Sequence, residues 1–198
     1  MARIKTIARE DLGEFTETFD NLEAALGFIP NSLLTMAHRP RLLATFLPMA
    51  MEVLAGETSL PPGLRNLIAH IASLAAGCQY CMAHTADSSA KAGIAEEKIA
   101  AAFEYESSPL FSDAERAALG LAQSAASVPN LASDEDFAEL RRHFSEEQIV
   151  EIVGVISLFG FLNRWNDTIG TELEDHPTQF AEKTITASGW SVGKHATD

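Results

Sequence analysis

Both cysteines of the chain lie in the stretch Gly77-Cys78-Gln79-Tyr80-Cys81-Met82-Ala83-His84-Thr85, three residues apart, with His84 three residues further on. An apolar helical pattern, Leu64 to Ala76, runs up to Gly77, and a second helical pattern, Ala86 to Lys91, follows. The break at Gly77 predicts that the thiols open a new helix. Unpaired amide N–H groups and the helix dipole favour a thiolate at that position. A fall of about two pKa units turns a mostly protonated thiol into a mostly nucleophilic anion at neutral pH. Spacing of three also places Cys78, Cys81 and His84 on one helix face. A nucleophile, a partner thiol and a base are thereby gathered within two turns. The same groups, with His70 as a fourth, offer a set of zinc ligands, although structural zinc usually takes a second cysteine pair and this chain has none.

The elements that must position these groups read as helices almost throughout. Ala, Leu, Glu, Lys and Arg dominate, and alternating β-branched runs are absent. The reading is therefore an all-α, multihelical single domain over 1–198, with its core at about 20–180. Pro61 and Pro62 open the Leu64 helix. Ser112 with Glu115 and Ser145 with Gln148 form capping-box patterns ahead of Ala117 to Ala126 and Ile149 to Trp165. Gly93 precedes a further helical stretch, Glu96 to Tyr105. The tail, 184–198, is small and polar; it reads as loose or as docking on a partner subunit. His143, His176 and His195 read as surface residues. Met36, Phe46, Met49 and Met51, at helical spacings, read as core. A weak repeat is visible at an offset of 85: Leu64, Leu67, Ile68 and Ile71 fall on Ile149, Ile152, Val153 and Ile156. Cys78 then falls on Asn163, Cys81 on Asn166, and Asn66 on Glu151.

With 198 residues, 46% of them hydrophobic, the chain can bury a sizeable core. A net charge of −14 argues against nucleic acid or an anionic membrane surface as partner. The longest apolar run, Ile152 to Leu162, is too short to span a bilayer. The amino terminus lacks an apolar signal core, so a cytoplasmic, reducing location is expected, where a close cysteine pair serves catalysis or metal binding.

Four stretches carry a resemblance. They are Leu60-Pro61-Pro62-Gly63-Leu64-Arg65, the cysteine motif, Gly27 to Asn31 with Met36 to Pro40, and Leu162-Asn163-Arg164-Trp165-Asn166-Asp167. With them the chain resembles the alkyl hydroperoxidase D-like group of the carboxymuconolactone decarboxylase superfamily, in its peroxidase-related branch. The resemblance implies an all-helical fold with internal pseudo-symmetry and a homo-oligomer, trimer or hexamer. It implies a thiol peroxidase for antioxidant defence, with Cys81 attacking the peroxide and Cys78 resolving it as a disulfide. A lipoyl- or thioredoxin-like dithiol then reduces the enzyme. No cofactor or metal is called for. In that family a glutamate twelve residues before the first cysteine and a histidine past the second relay protons. Here the glutamate position is Asn66, which cannot accept a proton, and the histidine is His84, one residue earlier than in many relatives, where this chain has Thr85.

His70, one turn from Asn66, is either the replacement base or a packing histidine. Glu151 either pairs with Arg164 or reaches the thiols across the pseudo-symmetry. The candidate site is thus Cys81, Cys78, His84, Asn66 and His70. Two other functions are open: a decarboxylase-like lyase acting on a lactone or keto acid, and a zinc-stabilised, non-enzymatic oligomeric protein.

Overall fold

The computed structural model describes residues 2–197 and contains, among them, helices and loops but no strand. Ten α-helices follow in order: α1 Thr16–Leu26, α2 Asn31–Met36, α3 Pro40–Ala55, α4 Leu64–Ala76, α5 Gln79–Lys91, α6 Glu96–Ala100, α7 Asp113–Ala126, α8 Asp134–Leu140, α9 Glu146–Ile169 and α10 Asp175–Thr184. Their starts follow from local chemistry. Ser112 and Ser145 close the expected capping boxes of α7 and α9, and a third box, Ser133 with Asp136, opens α8. Pro40 sits in the first turn of α3 after Arg39, where its missing N–H costs nothing. The stretch from Glu96 is shorter than the sequence suggests: α6 ends at Ala100 and a 3₁₀ turn, Ala102–Glu104, follows.

Helix α4 is the organising element. It packs against α5, α7 and α9, and Leu64, Leu67, Ile68 and Ile71 are all buried. These contacts form the larger core, to which α5 contributes both cysteines. A second core joins Phe19, Met36, Leu43 and Phe46 of the first three helices to Leu158 of α9. Of the repeat partners in α9, Ile149, Ile152 and Ile156 are buried, while Val153 is part of an exposed face. The two repeat halves part company at Gly77. There α4 stops in a left-handed residue with φ of 71°, whereas α9 continues unbroken through Asn163 and Asn166.

Three placements differ from the sequence reading. Met49 and Met51 are about half exposed, at 49% and 52%, and with Leu54, Val150 and Phe161 they give α3 and α9 uncovered apolar side chains. Helical periodicity reports an apolar face without saying what covers it. Through residue 197 the tail is not loose, and His195, read from the sequence as a surface residue, is fully buried along with Ile185 and Trp190. The Trp190 indole donates to the Gln79 carbonyl at 2.9 Å, Lys194 pairs with Asp167 at 2.7 Å, and the Leu173 amide donates to the His195 carbonyl at 2.8 Å. Small polar composition hid the three side chains that anchor this segment.

Candidate active site

Gly77 lets the chain leave α4 and turn directly into α5, with Cys78 as the N-cap. The Cys78 sulfur accepts the Cys81 amide N–H at 3.4 Å, in the manner of a capping serine. The Cys81 thiol also donates to Cys78. This hydrogen bond pulls the Cys78 thiol below its ordinary value, with the Cys81 amide and Lys194 acting in the same direction. Burial pushes the Cys81 thiol well up, and donation to Cys78 adds to that, while the Asn166 amide donates to Cys81 Sγ at 3.4 Å and opposes it. Both cysteines are free and buried. Of the pair, Cys78 is therefore pulled toward the thiolate and Cys81 is held toward the thiol, whereas the resemblance implies Cys81 as first attacker.

His84 is one turn beyond Cys81, and it turns to Glu174 rather than to the thiols. Its Nε2 lies 2.6 Å from Glu174 Oε2. The Tyr80 hydroxyl donates to Glu174 Oε1 at 2.8 Å, the Asn31 amide donates to the same oxygen, and the Tyr80 and His84 rings stack at 4.3 Å. Burial alone would raise Glu174, but His84 and the Asn31 amide hold its carboxyl below the ordinary value. A carboxylate absent at position 66 is thus supplied from the loop before α10. No sequence pattern pointed to it, because Glu174 lies 90 positions from His84.

The remaining expected residues are placed as follows. Asn66 is half-buried in the first turns of α4; the groups that bond the sulfurs are the Cys81 amide and Asn166 instead. His70 is buried with Nδ1 2.9 Å from the Thr85 hydroxyl, which itself donates to the Cys81 carbonyl at 2.7 Å. Burial lowers His70 to about 4, so it is a neutral packing group linked to the cysteine helix through Thr85. Glu151 does not pair with Arg164: it accepts from Thr58 and from Ser59, whose hydroxyl is at 2.9 Å. Cys78, Cys81, His84 and His70 do not converge as zinc ligands, since each histidine is turned to another partner. The group that does converge, among the described residues, is one the sequence did not suggest: Cys78, Asp167 and His195, whose sulfur, carboxylate oxygen and ring nitrogen lie within 4.8 Å of one another.

A model of the carboxymuconolactone decarboxylase family matches residues 40–124. A form of the debrominase Bmp8 in complex with 2,3,4-tribromopyrrole superposes with a TM-score of 0.85 at 34% identity, over 91% of this chain and 96% of that one. The alkylhydroperoxidase AhpD core protein of Ralstonia eutropha JMP134, peroxidase-related, superposes at 0.81 with 24% identity over 91% and 95%, and shares the fold. Protein YnjA of Escherichia coli K12 is 32% identical over 114 residues, 57% of this chain and 62% of that protein.

Proposed function

This chain belongs to the carboxymuconolactone decarboxylase family, in its alkyl hydroperoxidase D-like group, and from that premise we propose that it is a dithiol oxidoreductase that reduces a small electrophile. Cys78 and Cys81 together give up two electrons and close as a disulfide. The observation that carries this reading is the buried cysteine pair at the start of α5, with the Cys78 sulfur accepting the Cys81 amide and the Cys78 thiol pulled below its ordinary value. The first substrate class is a hydroperoxide. The Cys78 thiolate attacks the distal oxygen, the O–O bond breaks, and the leaving alkoxide takes a proton. The Cys81 sulfur then displaces hydroxide from the sulfenic acid, and the Cys81 proton leaves with it as water. An external dithiol of lipoyl or thioredoxin type restores the pair, in a reducing, cytosolic setting. The carboxylate-backed His84 stands ready for proton exchange beside this chemistry. The uncovered apolar side chains of α3 and α9 suit contact with further copies of the chain.

Likeness to a debrominase over nearly its whole length favours a second substrate class, a brominated heteroaromatic. There a carbon–bromine bond becomes carbon–hydrogen, bromide leaves, and the pair again supplies two electrons and ends as the disulfide.

One experiment separates these. The reduced protein is given one equivalent of an alkyl hydroperoxide or of tribromopyrrole, and thiols are counted by mass. Two thiols are expected to vanish per chain without cross-linked dimers. Loss with hydroperoxide supports the first class, and loss with bromide release supports the second. Free thiols with both reagents unspent overturn the dithiol reading. Turnover of a lactone that survives Cys78→Ser/Cys81→Ser points instead to a lyase.

A further inference from the structure

The buried tail brings an imidazole to Cys78. His195 is fully buried, yet it is not fully partnered. Its Nδ1 lies 2.7 Å from the Thr171 carbonyl, which can only accept, so Nδ1 carries the ring proton. Nε2 is left as a bare lone pair, and it has no hydrogen-bond partner. A buried, unpaired polar atom costs free energy, and its presence in a native fold calls for an explanation. Around the ring stand the Cys78 sulfur and the Asp167 carboxylate, each within 4.8 Å of a ring nitrogen, with Asp167 Oδ1 3.9 Å from Nε2. Lys194 neutralises Asp167 at 2.7 Å, and the Tyr80 ring lies 5.9 Å away. With its carboxylate already paired, the cluster suits a proton better than a cation.

We propose that His195 is the proton-transfer partner of Cys78, taking the thiol proton on Nε2 and returning it to the leaving group. The inference rests on the dithiol reading above. A separation of at most 4.8 Å keeps sulfur and ring nitrogen within reach of proton transfer, direct or through one bridging oxygen. The steps balance. The Cys78 proton passes to His195, and the thiolate attacks the distal oxygen of a hydroperoxide. The alkoxide takes the proton back from His195. The Cys81 proton leaves with hydroxide as the disulfide closes. Burial lowers the ordinary basicity of His195, with the Lys194 charge adding to that; the Thr171 carbonyl and Asp167 counter it. The ring therefore waits neutral, and a neighbouring thiolate gives it reason to hold a proton.

The test is a titration without oxidant. In a Cys81→Ser background, ultraviolet thiolate absorbance reads the ionisation of Cys78, whether or not reagents can reach it. His195→Gln keeps an amide donor for the Thr171 carbonyl and removes the base. The inflection is expected to rise by about one unit, about a tenfold loss of thiolate at pH values below it. Hydrogen-exchange protection of the Leu173 amide reports whether the tail stays docked. An unchanged inflection with the tail docked overturns the proposal. Should the variant undock, nitrogen NMR of His195 decides: Cys78→Ala is expected to lower the His195 inflection relative to the reduced native protein. Equal inflections overturn the proposal. Because no substrate is present, these results stand apart from the dithiol reading, which fails on its own if oxidants leave the pair reduced.

Discussion

Cys78 and Cys81 are chemically identical and three positions apart, and their surroundings make them different acids. Cys78 caps α5, receives the Cys81 amide and thiol, and has Lys194 nearby. Cys81 lies one turn further along, where burial raises it, with Asn166 as its one opposing donor among these causes. Each unit of separation between the two is a tenfold difference in thiolate fraction, about 1.4 kcal/mol. In Cys81→Ser the remaining Cys78 is expected to show thiolate absorbance at a lower pH than an ordinary thiol does. In Cys78→Ser the remaining Cys81 is expected to stay protonated until alkaline pH. Absorbance near neutrality in Cys78→Ser, and its absence in Cys81→Ser, would return the attacking role to Cys81 as the family resemblance has it.

The junction between α4 and α5 is where one residue sets the geometry of two helices. Gly77 closes α4 through its amide to the Leu74 carbonyl and hands the chain to the N-cap Cys78. A Cβ at Gly77 would meet nothing within 4 Å, so Gly77→Ala carries only the cost of a left-handed backbone, about 1 kcal/mol. Denaturant unfolding should show that loss with the fold retained; an unchanged midpoint would mean the turn does not depend on glycine. The cysteine helix, its glycine break and two of the three capping boxes were legible in the sequence, because each is written in residues a few positions apart. Asn166 was legible within the Leu162 to Asp167 stretch and as the repeat counterpart of Cys81, and Asn166 and Cys81 do meet. Glu174 and His195 were not, since each reaches the site from a loop or tail far along the chain, with no periodicity to announce it. The glutamate missing at Asn66 suggested a weaker relay; the structure instead supplies a carboxylate to His84 from outside the local motif.

At the scale of the whole molecule, burying histidines makes stability depend on pH in a window that carboxylates do not cover. His70 is held at about 4 against an ordinary 6.5, chiefly by burial. Above 6.5 it is neutral in the folded and unfolded chain alike, and its full contribution is present. Between 6.5 and 4 the unfolded chain binds a proton that the folded protein refuses, so stability falls as pH falls. Over the whole window the loss amounts to about 3 kcal/mol. His195, also lowered by burial, acts in the same direction. Glu174, whose carboxyl is held below its ordinary value, adds its loss at lower pH, as the folded protein is forced to protonate it. Denaturant midpoints measured from pH 7 to pH 4 should therefore decline steadily, beginning well above the carboxylate range. His70→Gln is expected to lower stability at pH 7, because it disturbs the contact with Thr85, and to flatten the decline between pH 6.5 and 4. A decline of undiminished slope in that variant would show that His70 takes up its proton in the folded state. The link from α4 through Thr85 to the cysteine helix would then not require a neutral imidazole.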